Sequence, residues 1–125
     1  MIFYVFGNQD LAQDSLPLRI LPCLRERFPD ALFEIKDPNE EWDVFEHLYI
    51  IDTVVGAQDA AVYDDISVFA KSPNLTLHDF DAHANLLFLK KLGKIKGCTV
   101  IGIPPHLSEH EACEKTTAMI RSISP

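Results

Sequence analysis

At 125 residues, 47% hydrophobic and 24% charged, the chain suits one globular domain, 1–125, with a core of its own. Its net charge of −8, with no long basic cluster, argues against nucleic acid as a partner, because an acidic surface repels phosphate backbones. No apolar run nears the roughly 18 residues that span a bilayer, and the opening MIFYVFG lacks a basic leader and reads as a buried strand; no membrane association and a cytoplasmic location are expected.

Ile2 to Phe6 is an apolar run that ends at Gly7-Asn8, the pattern of a central strand covered on both faces. A polar loop follows. Ser15 or Asp14 can then cap a helix whose first turn tolerates Pro17. Leu16, Ile20, Leu24 and Phe28 recur at four-residue spacing on one face of it, and Pro29 ends it. Ala31 to Ile35 reads as a second strand, Asn39 to Phe45 as a short helix, and His47 to Asp52 as a third strand, apolar until its last residue. After a turn over Gly56 to Asp59, Ala60 to Tyr63 and Ile66 to Phe69 read as β-leaning pieces, a hairpin partner or edge strand. Ser72-Pro-Asn reads as a loop. Asp79 to Leu92 is predicted helical, with Gly93 at its C-terminus and Phe80, Ala84, Leu87, Leu89 and Leu92 among its apolar positions. Cys98 to Ile103 is a further buried strand. A final helix starts near Ser108, where Ser108 and Glu111 fit a capping box. Alternating strands and helices argue an α/β sandwich with a mostly parallel sheet.

Cys23, Cys98 and Cys113 are odd in number and widely spaced, with no CxxC, so free buried thiols in a reducing compartment are expected. No GxGxxG follows the first strand, and there is no P-loop and no GxSxG elbow. His106-Leu-Ser-Glu-His110 spells HxxEH, a zinc-peptidase pattern. That pattern needs one continuous helix, and Ser108 as cap leaves His106 outside it.

Three residues carry the chemical reading. Asp14 stands where the first helix begins and can serve as a cap, as a metal ligand, or as both with one oxygen each. Asp52 ends an apolar strand. An unpartnered carboxylate in the core is costly, whereas the carboxyl edge of an open α/β sheet is where ligands bind. His78 precedes a helix in LTLHDFD; it either bonds a neighbour such as Asp79 or Asp81 or supplies a neutral nitrogen to a metal. Two carboxylates and an imidazole meeting at one sheet edge would form a hard-to-borderline metal site.

These residues bring a family into view. FGNQDLAQDSLPLRI resembles the opening of the hydrogenase maturation proteases: a strand, a Gly-Asn turn and an acidic residue. HLYIIDTVVG is similar to that family's second motif, an apolar strand with Asp at its end. LHDFDAHANLLFLKKLGKIKGCTVIGIP resembles its third block, in which His leads a helix, Gly ends it and a strand closes in a Gly-Ile-Pro turn. The resemblance covers essentially the whole chain in order. It implies a three-layer α/β sandwich, a twisted, mostly parallel sheet of about five strands with one antiparallel strand and helices on both faces.

The resemblance also implies a metal-dependent endopeptidase that removes the C-terminal extension of the nickel-iron hydrogenase large-subunit precursor after nickel insertion. Asp14, Asp52 and His78 would be its catalytic residues and would engage nickel supplied by that precursor. The hydrogenase large-subunit precursor is thus the expected partner, and a monomer the expected state. Asp14 stands where better-known members carry Glu, one methylene longer. Lys36-Asp-Pro-Asn-Glu-Glu stands where many carry a Gly-Gly-Thr-like loop. A non-catalytic chaperone that recognises a metallated partner, and a metal-independent small-molecule enzyme on the same sheet, are the alternative readings, since a fold alone does not set a function.

Overall fold

The apolar run at the amino terminus forms β1 (Ile2–Val5). Phe3 and Val5 project to one face and Tyr4 and Phe6 to the other, all of them fully buried, as the double-sided pattern predicts. The structure, a computed structural model, describes residues 1–37, 42, 45–71, 74–77 and 80–123.

After β1 come a single 3-10 turn (Ala12–Asp14), α1 (Leu16–Arg19), α2 (Leu21–Arg27) and β2 (Leu32–Ile35). The single helix expected from the Leu16, Ile20, Leu24 spacing is divided at Ile20. Pro22 has no N–H to offer the carbonyl one turn back, so the ladder breaks there while the buried stripe continues through the break. β3 (Phe45–Val55) is longer than expected; Asp52 lies inside it rather than at its end, and Phe45 opens this strand instead of closing a helix. The remainder of that expected helix, at 39–41 and 43–44, lies outside the described residues.

β4 (Ala61–Tyr63) is the expected edge piece. Ile66 to Phe69, read as β-leaning, instead lead into α3 (Ser67–Lys71). The carboxylate of Asp65 accepts the N–H of Ser67 at 2.9 Å and so caps this turn of helix, while Ile66 and Phe69, three residues apart, are both buried. A two-residue β5 (Thr76–Leu77) precedes α4 (Phe80–Lys91), β6 (Ile95–Ile103) and α5 (Glu109–Ile123). Gly93 ends α4 as expected: at φ +75° it lets its own N–H bond Lys90 O and the Lys94 N–H bond Leu89 O, each at 3.0 Å. The Ser108–Glu111 capping box also forms, with Glu111 N–H donating to Ser108 Oγ at 3.1 Å.

The strands run in the order β2-β1-β3-β6-β4. The first four are parallel and β4 is antiparallel to β6, with β5 added antiparallel to the end of β3. Residues of α1, α2 and α5 (Leu16, Leu24, Ala112, Ile120), together with Ile20 between the first two helices, pack on Phe3, Val5, Ile51, Ile101 and Ile103. On the other face Phe69 of α3 and Leu86 of α4 pack on Tyr4, Phe6, Ile50, Val54 and Val100. The architecture is therefore the expected α/β sandwich, with one antiparallel strand on the main sheet.

One expectation is overturned within the first of these layers. Cys23 and Cys113 are not free thiols; they form a disulfide that joins α2 to α5 across a sequence separation of 90 residues, with a Cα–Cα distance of 6.5 Å. Only the packing of two helices on the same sheet face brings them together. Cys98 alone remains a free, buried cysteine.

Candidate functional site at the carboxyl edge of the sheet

The strand order creates a place for a site. From β1 the chain crosses through α1 and α2 on one face to reach β2, whereas β3 sits on the other side of β1 and is followed by α4 on the opposite face. The helices therefore diverge between the carboxyl ends of β1 and β3. Ligand crevices form at such switch points in open α/β sheets.

Asp14 and Asp52 both stand there. Phe6 N–H donates to Ile51 O at 3.0 Å, which holds the end of β1 alongside Asp52. Two residues beyond Phe6, Asn8 N–H donates to Asp14 O at 3.0 Å, which brings the 3-10 turn back onto the end of the strand. Gly7 makes this return possible, because a Cβ there would lie 2.9 Å from Asp14 O and 3.0 Å from Leu18 Cγ. Asn8 also fixes the intervening loop, its Oδ1 accepting the Asp10 N–H at 2.9 Å.

Both acids are buried, Asp14 at 1% and Asp52 at 0% exposure. The edge position expected for Asp52 thus comes with full burial as well. Its Oδ1 accepts the N–H of Thr53 at 2.8 Å. Its partner on β6 is Gly102, and the ring of Tyr63 from β4 occupies the space a side chain at 102 would need, 2.7 Å from an ideal Cβ. Tyr63, whose phenol burial pushes upward, is a polar neighbour of this position that the sequence pattern did not single out. Nor did it single out Thr53, whose buried hydroxyl has no hydrogen-bond partner among the described residues. Two carboxylates kept out of water at a switch point furnish hard oxygen ligands of the kind a divalent metal takes. His78, the third expected ligand, lies outside the described residues. Among the described residues no three His, Cys, Asp or Glu side chains converge as a metal site.

Ser15 is the N-cap of α1 but makes no capping bond with its side chain. Its hydroxyl donates to Ala12 O at 3.1 Å and accepts Arg19 Nε at 3.0 Å. Arg19 Nη1 reaches Glu109 of α5 at 3.1 Å. Gln9, Ser15, Leu18 and Arg19 line an open cleft of about 260 Å³ that begins one residue from Asp14. His106 precedes α5 while His110 lies in its first turn, so HxxEH does not share one helix, in agreement with its reading as a chance pattern.

No family model and no curated protein matches the sequence. Its fold does resemble those of solved structures. Hydrogenase maturating endopeptidase HybD from E. coli superposes with a TM-score of 0.67 at 20% identity, covering 97% of this chain and 92% of that one. The solution structure of an endopeptidase from Escherichia coli gives 0.65 at 20% identity, with 98% and 93% covered. This chain has the fold of the hydrogenase maturating endopeptidase.

Proposed function

We propose that this protein is an endopeptidase that trims the C-terminal extension of a nickel-iron hydrogenase large-subunit precursor once nickel is in place, with Asp14, Asp52 and His78 engaging that nickel. The observation that carries this reading is the pair of buried acids, Asp14 and Asp52, delivered from separate segments to the switch point of a fold shared with a hydrogenase maturating endopeptidase. The first two of the motifs that resemble that family contain these two acids, and the third contains His78.

In this reading nickel is part of the substrate. Asp14 and Asp52 would each offer an oxygen and His78 a nitrogen, and the precursor would keep the remaining ligands. Binding is then strong only when the precursor is metallated, which makes the protease a check on nickel insertion. A divalent ion so held can polarise the scissile carbonyl or lower the pKa of a water. The open cleft lined by Gln9, Ser15, Leu18 and Arg19 would take extended peptide, with Leu18 for apolar contact and Gln9 for main-chain carbonyls.

The test is the mass of a nickel-loaded large-subunit precursor from the same organism after incubation with the protein. Loss of a C-terminal peptide only with nickel present supports the reading. A stable complex without cleavage would point to a non-catalytic recognition module.

A further inference from the structure

Charge is distributed unevenly along this acidic chain. Residues 82–108 contain four lysines and no acidic residue, a charge of +4, while the rest of the chain holds the other seven basic and all nineteen acidic residues, −12. The four lysines, Lys90, Lys91, Lys94 and Lys96, are exposed at the C-terminal end of α4 and the start of β6. Lys90 and Lys96 make only long, solvated contacts, 3.9 Å to Asp65 and 3.8 Å to Glu46, and Lys91 and Lys94 have no ion-pair partner among the described residues.

The same surface is apolar. Leu87, Phe88 and Leu92 are 43%, 59% and 55% exposed. By helical spacing Ala84, Leu87, Phe88, Lys91 and Leu92 share one side of the helix, and Leu86 on the opposite side enters the core. A helix apolar on both sides is normally covered on both. An exposed aromatic residue among aliphatic ones, with four exposed lysines beside it, is the composition of an interaction surface.

We infer that the C-terminal half of α4 docks a partner protein through a segment that presents acidic residues around apolar anchors. Charge complementarity selects this occupant. Two copies meeting face to face about a two-fold axis would set lysines against lysines. A flat anionic bilayer would also meet Asp65 and Glu46, exposed beside the patch, and a chain of net charge −8. A protein segment can confine its acidic groups to the patch. Since α4 runs back toward the starts of the strands, this surface lies at the end of the sheet away from Asp14 and Asp52, and the inference does not depend on the protease reading.

The test uses two labelled synthetic amphipathic helices, each with a Leu/Phe stripe, one flanked by Glu and the other by Lys. Fluorescence anisotropy should show saturable, salt-weakened binding of the Glu helix only. Phe88→Ser should weaken it about tenfold, and Lys91→Glu with Lys94→Glu should transfer the preference to the Lys helix, which loss of folding would not do. Binding of the Glu helix that neither change affects, or no binding at all, overturns the inference. So does recruitment to phosphatidylserine vesicles, or self-association abolished by Phe88→Ser, either of which would give the face to a different occupant.

Discussion

The carbonyl oxygen of Asp14 accepts the N–H of Asn8 at 3.0 Å, so a buried acid at the start of the helical segment is tied by its own backbone to the end of β1. This bond fixes where the Asp14 side chain begins, and Gly7 is the residue that leaves room for it. A methyl group at position 7 would press on Asp14 O, which is backbone and cannot swing aside, and on Leu18 Cγ. Gly7→Ala should therefore cost about 1–3 kcal/mol, the usual range for overpacking. It should also reduce processing of a nickel-loaded precursor by displacing Asp14. Urea midpoints and a precursor mass assay read the two effects; an unchanged midpoint would show that the 3-10 turn yields easily and that Gly7 holds no geometry.

The regular parts of this arrangement are written locally. The apolar run from Ile2 to Phe6 and the run before Asp52 mark strands buried on both faces, and Asp14 at the start of a helix and Asp52 at the close of an apolar run are visible without coordinates. Gly93 and the Ser108–Glu111 pair mark helix ends for equally local reasons. Other features depend on tertiary placement. Ile66 to Phe69 is too short to distinguish a period of two from one of 3.6, and the Asp65 cap decides it. In α4 apolar residues occur on every side, so the pattern could not say that Leu86 enters the core while Phe88 faces water. The Cys23–Cys113 bond depends on α2 and α5 sharing a sheet face, which spacing does not encode. The full burial of Asp52 follows from strand residues continuing to Val55, past the point where the acid suggested an end.

Asp65 gives a pH-dependent test of the α3 cap. Its carboxyl is held below the ordinary 3.8, first by the Ser67 N–H, then by the Ser67 hydroxyl, with Lys90 and Lys71 assisting. A depressed acid contributes stability that is complete above its ordinary pKa and is lost as pH falls through the lowered value. Asp65→Ala should thus lower the denaturation midpoint at neutral pH, and the gap to the parent protein should close as the pH is stepped down through the carboxyl range. A gap that stays constant would mean that the charge on Asp65 does not support the cap.

Thiol accessibility checks the cysteine assignment. Burial pushes the Cys98 thiol up to about 12, with Lys90 opposing only in part. At pH 8 it is then almost wholly protonated, and an aromatic disulfide reagent requires the thiolate. The native, unreduced protein should react at essentially no thiol, the denatured unreduced protein at Cys98 alone, and the reduced denatured protein at Cys23 and Cys113 as well. Immediate labelling of the native protein would contradict the buried position of Cys98, and full labelling without reductant would contradict the bridge. Because the bridge closes a loop across 90 residues, Cys113→Ala should also cost stability, up to about 4–5 kcal/mol from loop closure.

The proposed role of Asp52 separates most clearly from a structural one through an isosteric change. Asp52→Asn keeps the volume of a side chain that is 0% exposed and keeps an oxygen to accept the Thr53 N–H, now 2.8 Å from Oδ1. It removes the negative charge that would draw nickel. If Asp52 serves the fold alone, an amide in its place should change processing little, because the hydrogen bond survives. If it engages the metal, processing of the nickel-loaded precursor should fall by about a hundredfold or more, while circular dichroism and the cooperativity of unfolding are retained. Asp52→Ala gives the contrast: it vacates a buried position, so stability and processing should fall together. Wild-type processing by Asp52→Asn would remove Asp52 from the proposed site, and loss of cooperative unfolding in that variant would assign it to the fold.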